Sequence, residues 1–435
     1  MTSKKRLLIW CDSPTVPTGF GNVAKNLFAD LHKKFDVAIL GINEFGLRRY
    51  DASKYHIYPT DRADMLGFER MPLVLKDFNP DIILLFQDIF NIDHLFPVIR
   101  QWSDKVPVMF YFPIDGSPVN QAWKTVLTQG KKIITYTDWA VKAIREAHPE
   151  LKDVNIERLY HGVDSNVFFI LPDEIRKKFK QDRGWDDKFL VVSVNRFQPR
   201  KMLPLVIKGH ALFSKGYKTC KCGNVYLATK SLCDLNGCGP EDVVSTTPGH
   251  NDAFLYIHAN AQERMMGPGK ANSLQAHILN AGFTSKDINK TITAFGGNLY
   301  ETPMPESAIN VLYNMADINV SATLGEGVGL SLIEAAACGT TSIAPRNSAI
   351  PEMLGDTGHQ IPNVAHINIA MDNGHWRPVM SMKHYLEAME TEYQKWVTNG
   401  KNKVINKAAA DRTKTLFNWD TIRTQMEAWI EECSK

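Results

Sequence analysis

A chain of 435 residues exceeds one ordinary hydrophobic core and implies two domains, with room for an insert. Its 44% apolar and 22% charged residues are those of a globular protein and exclude a disordered or fibrous one. The formal charge of +3 is too small to require a nucleic-acid partner or to exclude one. Lys4, Lys5 and Arg6 precede an apolar run at 7–11 that is too short for a signal sequence and stops at Asp12. No later stretch approaches the about 18–20 apolar residues of a membrane span, so a cytoplasmic protein is expected.

In chain order, apolar runs at 7–11, 36–40, 82–86, 108–112 and 133–136 read as buried strands. Amphipathic stretches separate them, such as 22–32, where Val23, Leu27 and Leu31 recur every four residues. The alternation pauses over the polar stretch 161–183 and resumes with strands predicted at 189–194, 254–258, 292–295, 318–321 and 341–344. Helices are predicted near 202–214, 273–280, 308–315 and 330–337. Two successive strand–helix series predict an α/β protein of two doubly wound, Rossmann-like domains with parallel sheets. Trp419, Ile422, Met426, Trp429 and Ile430 share one face of a terminal helix. It packs either on the nearer domain or back on the first.

Ligands of open α/β sheets bind beyond the carboxyl ends of the strands, so the site is expected in a cleft between those edges. Three segments there carry specific chemistry. In Pro17-Thr18-Gly19-Phe20-Gly21-Asn22, Gly19 and Gly21 permit close approach of a phosphate to a helix start. Alone, such a turn serves equally as a tight connection. In Asn195-Arg196-Phe197-Gln198-Pro199-Arg200-Lys201, Arg196 and Lys201 can hold a diphosphate and stabilise its charge as it leaves; a solvated basic turn is the alternative. The third runs from Gly325 through Glu326, Gly327, Val328, Gly329 and Leu330 to Glu334. Its glycines expose amides at a helix start, and the two carboxylates can accept hydrogen bonds from sugar hydroxyls on either side of a diphosphate.

Cys220, Cys222, Cys233 and Cys238 cluster, whereas Cys11, Cys338 and Cys433 are scattered. One tight cluster in an intracellular chain suggests metal, and four thiolates suit a structural zinc over about residues 217–243. Gly223 and Gly239, each following the second cysteine of a pair, are expected to supply the left-handed turns of a zinc-ribbon-like insert.

These motifs resemble the retaining glycosyltransferases of family four, which have the B-type fold. The most specific likeness is Glu326, seven residues, then Glu334, continuing through Ala335-Ala336-Ala337-Cys338-Gly339 to Pro351-Glu352. Tyr160-His161-Gly162-Val163-Asp164 resembles the family's entry into the second domain. The resemblance implies a first domain at 1–165, a donor-nucleotide domain at 166–416 carrying the insert 217–243, and a helix at 417–435 crossing back to the first. It implies that Arg196 and Lys201 bind the donor diphosphate, that Glu326 contacts the donor sugar and that Glu334 binds the ribose. Gly329 and Leu330 would offer amides to the phosphates, and Asn298, in the loop 297–299, would border the base. Many members carry a histidine where this chain has Phe112-Pro113-Ile114-Asp115-Gly116-Ser117. Asp115 stands in for it as an acceptor-orienting group or base, or else caps a helix.

The implied reaction transfers a sugar from a nucleoside diphosphate sugar to an acceptor hydroxyl with retention. The leaving diphosphate assists deprotonation, and no catalytic divalent metal is required. The acceptor is a saccharide, lipid-linked glycan or protein. Alternatively it is a hydroxymethylated base in DNA, because such sequences with zinc inserts resemble viral enzymes, which would work in the host cytoplasm. A non-catalytic sugar-nucleotide sensor or nucleic-acid-binding protein is the remaining alternative.

Overall fold

The computed structural model describes residues 4–46, 48–234, 237–260, 274–295, 303–370 and 372–435. The chain divides into two compact units. The first comprises Met1–Asp164, Asn368–Trp376 and Leu416–Lys435; the second comprises Ser165–Ile367 and Arg377–Thr415.

The first unit is built on strands β1 (Arg6–Asp12), β2 (Asp36–Ile42), β3 (His56–Pro59), β4 (Ile82–Phe86), β5 (Val108–Phe112), β6 (Lys132–Thr135) and β7 (Ile156–Arg158). All pair in parallel, in the order β3-β2-β1-β4-β5-β6-β7. Its central strands are apolar without alternation because helices cover both faces. Leu8, Trp10, Leu40, Leu85 and Phe110 form its core. The Trp10 indole N–H donates to Leu66 O at 2.7 Å, so the ring is buried without an orphaned donor. The helix expected at 22–32 instead spans Gly19–Leu27 and gives way to a 3₁₀ turn at Leu31–Lys33. Its start is set by Thr18, whose hydroxyl accepts from the Gly21 amide at 2.9 Å.

The helix Trp419–Cys433 is part of the first unit. Its Trp419 ring fills the space left by Gly162, where an added Cβ would lie 2.5 Å from the indole. Lys34 binds Glu427 and Glu431 at 2.6 and 2.7 Å, and the Lys132 ammonium stands 4.9 Å over the Trp429 ring.

The second unit opens with β8 (Phe189–Val194) and continues, after the insert, with β12 (Ala253–His258), β13 (Ile292–Ala294), β14 (Ile318–Val320), β15 (Thr341–Pro345) and β16 (His359–Ile361). These strands form a parallel sheet in the order β13-β12-β8-β14-β15-β16. The connection order reverses between β8 and β14, the place where doubly wound sheets open a ligand crevice. The insert is an antiparallel sheet, β10-β9-β11, of β9 (Tyr217–Cys220), β10 (Val225–Leu227) and β11 (Val243–Thr247). It leaves from the end of helix Leu203–Lys215 and returns before β12, so its root lies at the edge opposite the crevice. A two-stranded ribbon joins β17 (Asn363–Asn368) and β18 (Trp376–Met380). Among the described residues no helix is long and apolar enough to cross a membrane.

Candidate functional site

The reversal point of the second sheet gathers three loops. After β8 the chain makes a 3₁₀ turn, Pro199–Lys201, and enters helix Leu203–Lys215 through Met202, held at φ 45°. After β14 it runs from Ser321 to Gly329, then starts helix Leu330–Ala337. After β15 it passes through Asn347 and Ser348 into helix Ile350–Leu354, with Ser348 at φ 44°. A non-glycine residue in the left-handed region costs free energy and persists only where its surroundings hold it. Two such residues flank this site.

Hydrogen bonds tie the loops together. The Leu324 amide donates to Arg200 O at 2.8 Å, and the Arg200 guanidinium donates to Gly325 O. The Glu326 amide donates to Ser348 Oγ at 2.8 Å, Ser348 donates to Asn347 Oδ1 at 3.1 Å, and Asn347 Nδ2 donates to Thr323 O at 3.1 Å. The Glu326 side chain is buried between two cations. Lys201 Nζ lies 2.5 Å from its Oε1, and Arg200 Nη1 lies 3.7 Å from its Oε2. Arg196 stands exposed at the end of β8.

Gly329 caps helix Leu330–Ala337 at φ +84°, where an L side chain is strained. Leu330 begins the helix, so its amide is among those without an intrahelical acceptor. One turn in, Glu334 approaches the hydroxyl of the fully buried Tyr313 at 3.4 Å. Burial, reinforced by the Glu306 carboxylate, pushes the Glu334 carboxyl up to about 7 despite the Tyr313 hydrogen bond. Such a group is poised near neutrality.

Thus Lys201 and Glu326 meet directly, and Gly329, Leu330 and Glu334 follow on the same loop and helix. Gly19, Gly21 and Asp115 belong to the first unit. Gly21 has a packing role that its motif did not reveal. Its amide donates to Thr18 Oγ1, and an added Cβ would lie 2.3 Å from Val16 O, so helix–loop contact by itself excludes a side chain here. Asp115 is not the N-cap of any helix among the described residues, contrary to that alternative. It lies in the coil after β5, and the next helical turn, Gln121–Trp123, is capped by Asn120. Asn298 lies outside the described residues. Sequence reading assigned nothing to Arg200, Tyr313, Asn347 or Ser348. Arg200 had a signal, as the third cation of the basic turn; the others become visible only when the loops converge.

In the insert, the sulfurs of Cys220, Cys222, Cys233 and Cys238 all lie within 4.8 Å of one another. Cys222 Sγ and Cys233 Sγ are 3.8 Å apart, which equals the edge of about 3.8 Å that zinc–sulfur bonds of about 2.3 Å set in a tetrahedron. The thiols of Cys222 and Cys220 push that of Cys238 up to about 12, because four thiolates cannot crowd together without a cation. These residues therefore fit a dication. Asn224 Nδ2 supports the set, donating to Cys233 Sγ at 3.3 Å. The turn geometry differs from expectation in one half. Gly223 is left-handed at φ +86°, but Gly239 is extended at φ −97° and caps the turn Pro240–Asp242. Gly237, at φ +88° before Cys238, takes the left-handed position instead.

Two parallel sheets in Rossmann-like order, one with a basic turn and a glycine-rich helix start at its reversal point, define a doubly wound α/β protein. Residues 253–372 match the family model described as Glycosyl transferases group 1. A glycosyltransferase from Rickettsia africae superposes with a TM-score of 0.66 at 14% identity, covering 100% of both chains. Sucrose-phosphate synthase from Thermosynechococcus elongatus gives 0.63 at 14% identity, covering 99% of each. HepE of Anabaena, in complex with UDP-glucose, gives 0.63 at 13% identity, covering 98% of this chain and 100% of its own. No curated protein matches the chain in sequence. The chain is a glycosyltransferase enzyme, and its solved neighbours share its α/β, B-type architecture.

Proposed function

We propose that the chain is a retaining glycosyltransferase using a nucleoside diphosphate sugar. The observation that carries this reading is the meeting of Lys201, Arg200 and Glu326 beside the start of helix Leu330–Ala337, within the unit holding most of the glycosyltransferase match. Arg196 and Lys201 take the donor diphosphate, with the amides of Gly329 and Leu330 at its other side. Glu326 accepts from hydroxyls of the donor sugar and Glu334 from those of the ribose. The UDP-glucose bound by HepE supports a donor of this class. The cations and helix start neutralise the leaving diphosphate without a divalent ion, and its oxygen receives the acceptor proton on the face it leaves. Asp115 orients the acceptor hydroxyl.

The cysteine cluster is assigned to one structural zinc that staples the insert. Transfer to a base of DNA is the second acceptor reading and rests on this insert. Its charges do not favour it: Lys218, Lys221 and Lys230 are balanced by Asp234, Glu241 and Asp242. Two of the lysines are paired, Lys221 with Asp242 and Lys230 with Asp234. With no excess of basic residues, the insert has no net positive charge to draw a phosphate backbone. The test is a hydrolysis and thermal-shift screen across UDP-, GDP- and ADP-sugars, with saccharide and hydroxymethylated DNA acceptors. Absence of binding and turnover with every donor refutes the proposal.

A further inference from the structure

If Lys201 turns from Glu326 to a donor phosphate, a buried carboxylate loses its nearest counter-ion. The Glu326 side chain is 9% exposed, and its partner Lys201 is 13% exposed. Removing one partner of a buried ion pair is costly because the remaining charge stays uncompensated. A second cation that holds Glu326 offsets that cost.

Arg200 has the geometry for that task. Its guanidinium donates to Gly325 O, next to Glu326 in the chain, and approaches Glu326 Oε2 at 3.7 Å, on the oxygen that Lys201 does not use. Its own carbonyl accepts from the Leu324 amide at 2.8 Å and from Thr323 Oγ1 at 3.5 Å. Both ends of the residue therefore grip the 323–326 loop, while the Glu326 amide is fixed from the far side by Ser348. The planar fork of an arginine can address a carbonyl and a carboxylate together; the point charge of a lysine cannot.

We propose that Arg200 is the positioning residue of the donor site. It keeps the Glu326 carboxylate oriented and thereby releases Lys201 to the donor diphosphate. The Lys201–Glu326 pair is then the resting contact of the empty site, exchanged for a Lys201–phosphate contact on binding. Arg200 acts through Glu326 and touches no ligand. This inference rests on the diphosphate role proposed for Lys201.

The test is a double-mutant cycle on the full chain, read by calorimetry with inorganic pyrophosphate and with UDP-glucose. Glu326→Gln alone is expected to strengthen pyrophosphate binding several-fold, because Lys201 loses its internal competitor. Arg200→Gln in the native background is expected to weaken both ligands by at least about tenfold, the scale of a broken buried charge pair. The same change made together with Glu326→Gln is expected to weaken pyrophosphate less than about twofold, since no buried charge then needs a partner. Arg200→Lys, which keeps the charge and spares the fold, is expected to recover part of the loss. Equal losses from Arg200→Gln in both backgrounds would mean that Arg200 binds ligand or serves only the fold, and would overturn the inference alone. No loss in either background overturns it as well. Unchanged pyrophosphate affinity in Lys201→Ala overturns the diphosphate role, and the inference falls with it.

Discussion

Glu334 couples the stability of this protein to its proposed chemistry through pH. Its carboxyl is raised from an ordinary 4.5 to about 7, by burial first and by Glu306 second. The native state therefore holds a proton that the unfolded chain releases above pH 4.5. Stability contributed by this proton is complete below pH 4.5 and is lost as pH rises through about 7. For this half-buried side chain the shift sets an upper bound of about 3 kcal/mol, at about 1.36 kcal/mol per unit. Glu334→Gln keeps the size and the Tyr313 contact but cannot ionise. It is expected to match the native protein below about pH 4 and to exceed it by up to about 3 kcal/mol at pH 8.5, by urea unfolding at each pH. Ribose hydroxyls donate to the ionised form, so UDP-glucose affinity in the native protein should fall about tenfold from pH 8 to pH 6, following the ionised fraction. In Glu334→Gln that dependence should vanish, leaving a weak, flat profile. A stability difference that stays constant from pH 5 to 8.5 would show that Glu334 is not a proton-holding carboxyl, and the reasoning would fail.

Lys201→Ala is expected to cost about 2–4 kcal/mol of transition-state stabilisation, read as kcat/KM for sugar transfer, while its melting curve stays close to native. Purified protein should contain one zinc per chain in an all-sulfur shell by X-ray absorption. Chelation should loosen the insert yet leave pyrophosphate binding intact, because the insert is rooted at the opposite sheet edge. Gly21→Ala should destabilise the first unit by about 1–3 kcal/mol in denaturant unfolding, since its Cβ meets the Val16 carbonyl.

Several elements were legible without coordinates. The strands Ile82–Phe86, Val108–Phe112 and Phe189–Val194 begin and end where their apolar runs do, and helix Leu330–Ala337 spans its predicted residues. A strand buried on both faces is nearly free of polar residues, so composition alone marks it. The edge strands His56–Pro59, Ile156–Arg158 and His359–Ile361 escaped, because an edge strand is short and half solvated and carries no such run. The cysteine cluster was equally legible, since the residues that crowd together are close in sequence. Which glycine turns left-handed was not: Gly237 rather than Gly239 does so, a choice made by the path of the loop.

For the candidate site, residue types and their strand-end positions could be read directly, because topology sends such residues to one sheet edge. Pairings could not be read. Glu326 lies between Arg200 and Lys201, more than a hundred residues earlier, only because β8 and β14 are neighbours in the sheet. Ser348 reaches the same loop because β15 lies beside β14. The pKa of Glu334 also depends on Tyr313 and Glu306, which a separate helix brings against it. Local sequence determines what each segment can do, since periodicity and backbone preference act within a few residues. Tertiary structure decides which charges share a buried volume, and the desolvation and ion pairing that tune them exist only once the strands are side by side.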